Sequence, residues 1–212
     1  MRFNCFPKGI PVIKRLFDLI ITIPGLILAS PILACIAIVL WVKNGRPVVF
    51  KQKRPGYHGE VFTLYKFRTM RTDAINPQGN VRTDNERITG IGRFLRSTSL
   101  DELPELINIL SGEMSLVGPR PLLVAYLERY TPEQRRRHDV LPGMAGWAQI
   151  NGRNLLTWEQ KFSYDLWYVD HWSLWLDIKI LALTIWKVLK REGISPMGQV
   201  TMEEFQGSSK EE

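Results

Sequence analysis

The stretch LFDLIITIPGLILASPILACIAIVLWV, Leu16 to Val42, constrains this chain more than any other. Its roughly 27 residues hold a single charge, Asp18, and as a straight helix would measure about 40 Å, enough to span the hydrocarbon core of a bilayer. It is not a cleavable signal peptide, because no small-residue cleavage site follows a short apolar core. Pro24 and Pro31 lie inside it. Pro31 removes a backbone donor and crowds the preceding turn, which predicts a kink. Ser30, just before it, can bond back to a carbonyl that the kink frees. Both flanks are positive: Lys8, Lys14 and Arg15 precede the run, and Lys43, Arg46, Lys51, Lys53 and Arg54 follow it. Segments rich in lysine and arginine stay on the cytoplasmic side. If both flanks stay there, the segment enters the membrane and returns, a helix–break–helix with its break at Ser30–Pro31. A plain membrane-crossing helix with incidental prolines is the alternative.

Beyond Lys43 the residues are those of a water-facing domain. The expected division is an anchor over 1–43, a mainly helical cytoplasmic domain over 44–205 and a disordered tail over 206–212, an α+β class overall. The 212 residues suffice for one small domain plus an anchor. VVFKQ and VFTLYKF read as strands joined by the turn-forming RPGYHG, a β-hairpin. RTDAINPQGNVRTDNER is polar and aperiodic, a loop. A helix is expected from about Ser99 to Leu110, with Ser99 as N-cap, Glu102 closing a capping box and Gly112 ending it. TPEQRRRHDVLPG offers a short helix capped by Thr131 with Pro132 in its first turn. MAGWAQINGRN reads as loop. From Trp158 to Arg191 the pattern is helical and dense in aromatics, including Trp158, Trp167, Trp172, Trp175 and Trp186. Tryptophan favours the membrane–water interface, so amphipathic interfacial helices are expected, an aromatic-rich soluble core being the alternative. The two cysteines, Cys5 and Cys35, are far apart, and the three histidines show no ligand spacing, which argues against disulfides and zinc.

The net charge of +7 calls for an anionic partner: nucleic acid, an anionic membrane or a phosphorylated substrate. Against that balance, RSTSLDELPELINILSGEMSLVGPRP sets Asp101 and Glu102 side by side, with Arg96 and Arg120 on either side. At the start of a helix the free amides and dipole favour a carboxylate or phosphate and would keep Asp101 ionised, as a nucleophile requires. Hard oxygen ligands, few in number, suit Mg²⁺, which bridges to phosphate. The same two acids would also serve simply to complement the helix dipole. Lys66 in YKFRTM, Arg96, Arg120 in VGPRP and Arg153 in NGRN sit near apolar or Gly/Pro-rich turns and are candidate phosphate-binding residues. The carboxylate pair argues against a nucleic-acid-binding role, because it repels phosphate without a metal.

Taken together, Ser30–Pro31, YKFRTM, RSTSLDELPEL, SLVGPRPLL, RHDVLPGMAGWAQINGRN and GQVTMEEFQG, in this order and spacing, resemble the monotopic phosphoglycosyl transferases. These are the bacterial sugar transferase family, including the short form that starts N-linked glycan assembly in Campylobacter. The likeness runs from about Ile13 to Gly207, and the chain is expected to be like the minimal members. It implies an enzyme that moves a sugar 1-phosphate from a UDP-sugar to polyprenyl (undecaprenyl) phosphate and releases UMP. Asp101 would be the nucleophile that carries the phosphosugar, Glu102 its partner, and both would be Mg²⁺ ligands. The likeness also implies a re-entrant anchor at the cytoplasmic face of the bacterial inner membrane, in contact with membrane lipids and with downstream glycosyltransferases as later partners. It points to an N-acetylated hexosamine or a deoxyamino derivative as the sugar, with a hexose left open. A membrane-tethered nucleotide-sugar hydrolase and a non-catalytic basic binding protein are the other readings.

Overall fold

A computed structural model describes residues 4–73, 83–152, 156–190 and 204–207. The apolar run forms most of one uninterrupted helix, α1 (Val12–Asn44), with Pro24 and Pro31 inside it. It is long and apolar enough to cross a membrane by length and composition. The expected break into two helical pieces does not appear; what Pro31 leaves is one missing bond in the helix's hydrogen-bond ladder. Pro31 has no N–H for the carbonyl of Ile27, four residues back, and the Ser30 hydroxyl donates to that oxygen instead at 2.7 Å.

Both ends of α1 are tied to the same domain. Near its start Arg15, fully buried, donates to the carbonyls of Ile109 (3.0 Å) and Met114 (3.3 Å). Asp18 accepts from the Ser115 hydroxyl at 3.0 Å and the Leu116 amide at 3.2 Å. The one charge of the apolar run thus lies in a protein interface, where its hydrogen bonds offset the cost of burial. At the other end Arg68 donates to the carbonyls of Asn44, Gly45 and Arg46. Leu40 packs with Phe67 and Leu95 there. Ile20, Ile27, Leu28, Ile32 and Ile38, which face away, are exposed.

The hairpin forms as expected: β1 (Val49–Pro55) pairs antiparallel with β2 (Val61–Phe67), Val49 opposite Phe67 and Pro55 opposite Val61. Its inward face carries Phe62 and Leu64. The polar loop after it falls mostly outside the described residues; its end forms a single turn, α2 (Asp84–Arg87), followed by α3 (Gly90–Ser97). Then come α4 (Glu105–Ser111), β3 (Ser115–Val117), the short α5 (Pro132–Arg135), β4 (Gly143–Ala145) and α6 (Trp147–Ile150). The expected cap on α5 is present, with Thr131 and Gln134 forming a capping box. The parallel pair β3–β4 was not foreseen. Three-residue strands carry no readable alternation, and this pairing depends on backbones in close approach: a Cβ on Gly143 would lie 2.0 Å from the Gly118 nitrogen.

The aromatic stretch divides into α7 (Trp158–Asp170) and α8 (Leu174–Lys190). Part of it builds the core and part stands on the surface. Tyr168, Leu176 and Ile180 enter the main core with Ile109, Met114 and Val117, while Trp175 and Trp186 stand exposed. Phe205 is buried among Tyr126, Tyr130 and Phe162. Residues 208–212 lie outside the described residues.

Candidate active site

The acid pair does not sit in the first turn of a long helix. Ser99 adopts a left-handed conformation (φ 57°) and its side chain caps nothing. Leu100–Glu102 form a 3₁₀ turn, and α4 begins only after Pro104. The expected capping box is absent because Glu102 is drawn elsewhere: its Oε1 lies 2.7 Å from Lys66 Nζ and 2.5 Å from Arg120 Nη2. Those two cations hold its carboxyl well below the ordinary range, outweighing burial. The helix does end at Gly112, whose φ of 84° suits a residue without a side chain.

Asp101 is buried, and among the described residues no hydrogen bond holds its carboxylate. Burial, then the charge on Glu102, pushes it above its ordinary value; Lys66, Arg96 and Arg120 act in the opposite direction. The expectation that helix-terminal amides keep Asp101 ionised is thus corrected. With no long helix starting here, cations take that role. A carboxylate of raised basicity without hydrogen bonds is a stronger nucleophile than a well-solvated one, provided those cations keep it ionised.

Three elements bring the cations in. Lys66 projects from β2, on the hairpin face that carries Leu64. Arg120 follows β3 in Gly118–Pro119–Arg120–Pro121, and its carbonyl accepts from Arg137 at 2.8 Å. Arg137 is itself paired with the buried Asp165 of α7 at 2.7 Å, so α7 steadies the Arg120 loop. Arg96, on α3, donates to the Thr69 hydroxyl at 3.0 Å and reaches Asp101 only through its field. Arg153 lies outside the described residues.

Sequence reading missed two neighbours. Glu105, buried at the start of α4, is 3.0 Å from Lys66 and pushed up to about 7 by burial and by Glu102. Its position three residues after Glu102 was the available signal. Arg54, on β1, feels Arg120 and Glu105; strand alternation from Lys66 would have placed it on the same face.

The chain matches the family described as "Bacterial sugar transferase" over residues 10–191. It is 56% identical to an uncharacterized sugar transferase, EpsL, of Bacillus subtilis, over 93% of this chain and 97% of that one. It is 43% identical to the UDP-glucose:undecaprenyl-phosphate glucose-1-phosphate transferase of Escherichia coli, over 83% of this chain but 40% of that one. Its identity to the undecaprenyl-phosphate galactose phosphotransferase of Salmonella typhimurium is 41%, over 90% of this chain and 43% of that one. The chain thus spans nearly all of the Bacillus relative but only about two fifths of the two enterobacterial ones. The match covers every element that builds the acid–cation cluster, from α1 to α8, and on that ground the chain belongs to the bacterial sugar transferase family.

Proposed function

We propose that this protein transfers a sugar 1-phosphate from a UDP-sugar to polyprenyl phosphate, releasing UMP, through a phosphosugar carried on Asp101. The observation that carries this is the pairing of unlike carboxylates: Glu102 is neutralised by Lys66 and Arg120, while its neighbour Asp101 is buried, free of hydrogen bonds among the described residues and faced by three cations. A phosphoanhydride repels an incoming carboxylate, and those cations cancel its charge. A carboxylate oxygen of Asp101 attacks the β-phosphorus. The bond from that phosphorus to the bridging oxygen breaks, and UMP leaves with the electron pair. An oxygen of polyprenyl phosphate then attacks the same phosphorus, and the Asp101 carboxylate leaves regenerated. Two displacements let a water-soluble donor and a lipid acceptor use one small site in turn.

Mg²⁺ fits the donor set in one way only. No cluster of three acidic, histidine or cysteine ligands occurs among the described residues. Mg²⁺ is satisfied by one or two carboxylates plus substrate phosphates, and Asp101 and Glu102 would hold it. When bound it supplies further neutralisation of the diphosphate.

The anchor is proposed to be re-entrant at the cytoplasmic face of the inner membrane. Supporting this are the attachment of both ends of α1 to one domain, the Ser30–Ile27 bond at Pro31 and the exposed isoleucines between. The two enterobacterial relatives named above carry glucose and galactose in their names, so the donor panel should include UDP-glucose and UDP-galactose beside UDP-N-acetylhexosamines.

The test is a single-turnover experiment without acceptor. At most about one UMP per protein should appear, with the mass of one sugar phosphate gained on Asp101. Asp101→Asn or excess chelator should stop both, and adding undecaprenyl phosphate should discharge the adduct into lipid. UMP release only when the lipid is present, with no adduct ever trapped, would replace this mechanism by direct transfer. Continued UMP release without lipid product would make the protein a hydrolase.

A further inference from the structure

Lys66 meets the acid pair on a flexible four-carbon stem, and what fixes its tip belongs to α4. Among the described residues β2 pairs with β1 alone, which leaves its other edge open. Against that edge stands the side-chain amide of Asn108. Its Nδ2 donates to the Thr63 carbonyl at 2.7 Å, and the Tyr65 amide donates to its Oδ1 at 3.1 Å. Asn108, fully buried, thus takes the place of a neighbouring strand's peptide group and fixes α4 along β2. Glu105, three residues earlier, lies on the same side of α4 and is brought to Lys66, the residue after Tyr65. The Glu105 carboxyl is buried and stands 3.0 Å from Lys66 Nζ, with Glu102 Oε1 at 2.7 Å from the same atom. The ammonium is therefore held between Glu102 and Glu105. Asp101, next to Glu102 in the chain, has no ion pair among the described residues. Of the cations that act on Asp101 through space, Lys66 is nevertheless the strongest.

A lysine that bonds to a carboxylate nucleophile changes its chemistry. The ammonium occupies a lone pair and stabilises the free carboxylate, which becomes a poorer nucleophile and a better leaving group. We propose that Glu105 is a positioning residue: it holds the Lys66 ammonium on the Glu102 side, so that Asp101 keeps its lone pairs for the phosphorus. This rests on the transferase reading above. With Glu105 in place, Lys66 offsets negative charge near Asp101 without bonding to it. With no acceptor at position 105, the same stem lets Nζ turn to the neighbouring carboxylate, Asp101. The first displacement, in which an Asp101 oxygen attacks and UMP leaves, then slows. The second, in which the acceptor phosphate attacks and the Asp101 carboxylate leaves, does not.

The experiment separates the half-reactions. Wild type is compared with Glu105→Met, which keeps most of the volume and offers no oxygen, and with Glu105→Ala and Glu105→Gln. Adduct formation from UDP-sugar without acceptor should slow about 10- to 100-fold in Glu105→Met and Glu105→Ala, the worth of one hydrogen bond to a charged group. Discharge of pre-formed adduct to undecaprenyl phosphate should be as fast as in wild type or faster. Glu105→Gln, whose amide oxygen still accepts from Lys66, should recover most of the loss. In a Lys66→Met background, adding Glu105→Met should change the ratio of the two rates by no more than about twofold. A crystal structure of Glu105→Met should show Lys66 Nζ in hydrogen-bond contact with Asp101. Equal slowing of both half-reactions, as a general loosening of α4 would give, overturns the role, and so does wild-type adduct formation in Glu105→Met. If no adduct forms even in the wild type, the covalent reading fails instead. The crystal structure then still decides: Nζ remaining on Glu102 alone overturns the positioning role.

Discussion

Lys66 faces two carboxylates at nearly equal distance, 2.7 Å to Glu102 and 3.0 Å to Glu105, yet the two acids are shifted in opposite directions. Glu102 has a second cation in Arg120; Glu105 has burial and a like charge beside it. Glu105 takes up its proton near pH 7 instead of its ordinary 4.5. A carboxyl raised on folding stabilises fully below the unfolded value, and that contribution is lost as pH rises through the folded one. Between pH 4.5 and 7 wild type should therefore gain stability from this residue on acidification, at most about 1.4 kcal/mol per pH unit. His138, held down to about 4 chiefly by burial, contributes the opposite slope below its ordinary 6.5. The difference between Glu105→Gln and wild type isolates the acid: it should narrow as pH falls from 7 to 4.5, with the variant relatively more stable above 7. Parallel unfolding curves across that window would show that Glu105 is ionised throughout.

Among the elements, α1 decides where the domain sits. Its contacts at Arg15 and Asp18 and at Asn44 to Arg46 cannot all persist if one end is carried across a bilayer. Cys5 is exposed before the helix, and Lys53 follows it. In intact cells of a Cys35→Ala background, an impermeant maleimide should leave both Cys5 and a Lys53→Cys position unlabelled until the membrane is opened. Pro31→Ala restores the missing backbone donor and relieves the crowding, so a fraction of molecules should straighten and expose one of the two sites outside. Labelling of Cys5 from the periplasm in the parent protein would rule out the re-entrant anchor.

At the scale of the whole molecule, one buried network joins the anchor to α8. Asp177 accepts from Lys14 at 2.8 Å, from the Tyr168 hydroxyl at 2.7 Å and from the Trp172 indole at 3.1 Å. Lys14 also faces Asp18, at 3.4 Å, which holds β3 through Ser115 and Leu116. Asp177→Asn would leave the Lys14 charge buried with only the weaker partner, a loss of about 3–5 kcal/mol. The double variant Lys14→Met with Asp177→Asn should recover part of that, because no uncompensated charge remains. Thermal unfolding in detergent reads both. A single variant as stable as wild type would mean that α8 and α1 are joined by apolar packing alone.

What the sequence by itself determined is what local chemistry dictates. An unbroken apolar run between basic flanks cannot be a water-facing loop, Ser30 before Pro31 has one orphaned carbonyl to answer, and turn residues between alternating runs make a hairpin. Neighbouring acids in a basic chain made Asp101 and Glu102 candidates, with Lys66, Arg96 and Arg120 named beside them. Only the tertiary structure decided which carboxylate is neutralised and which is left bare. That depends on Lys66 arriving from β2 and Arg120 from beyond β3, residues 36 and 18 positions from Glu102 along the chain. It also decided that Ser99 would cap nothing, that Glu105 would share Lys66, and that Arg54 would feel the charges of Arg120 and Glu105. Helix starts, pKa values and charge balance are set by distances across the fold. Electrostatic energy falls with separation in space, and separation along the chain does not enter it.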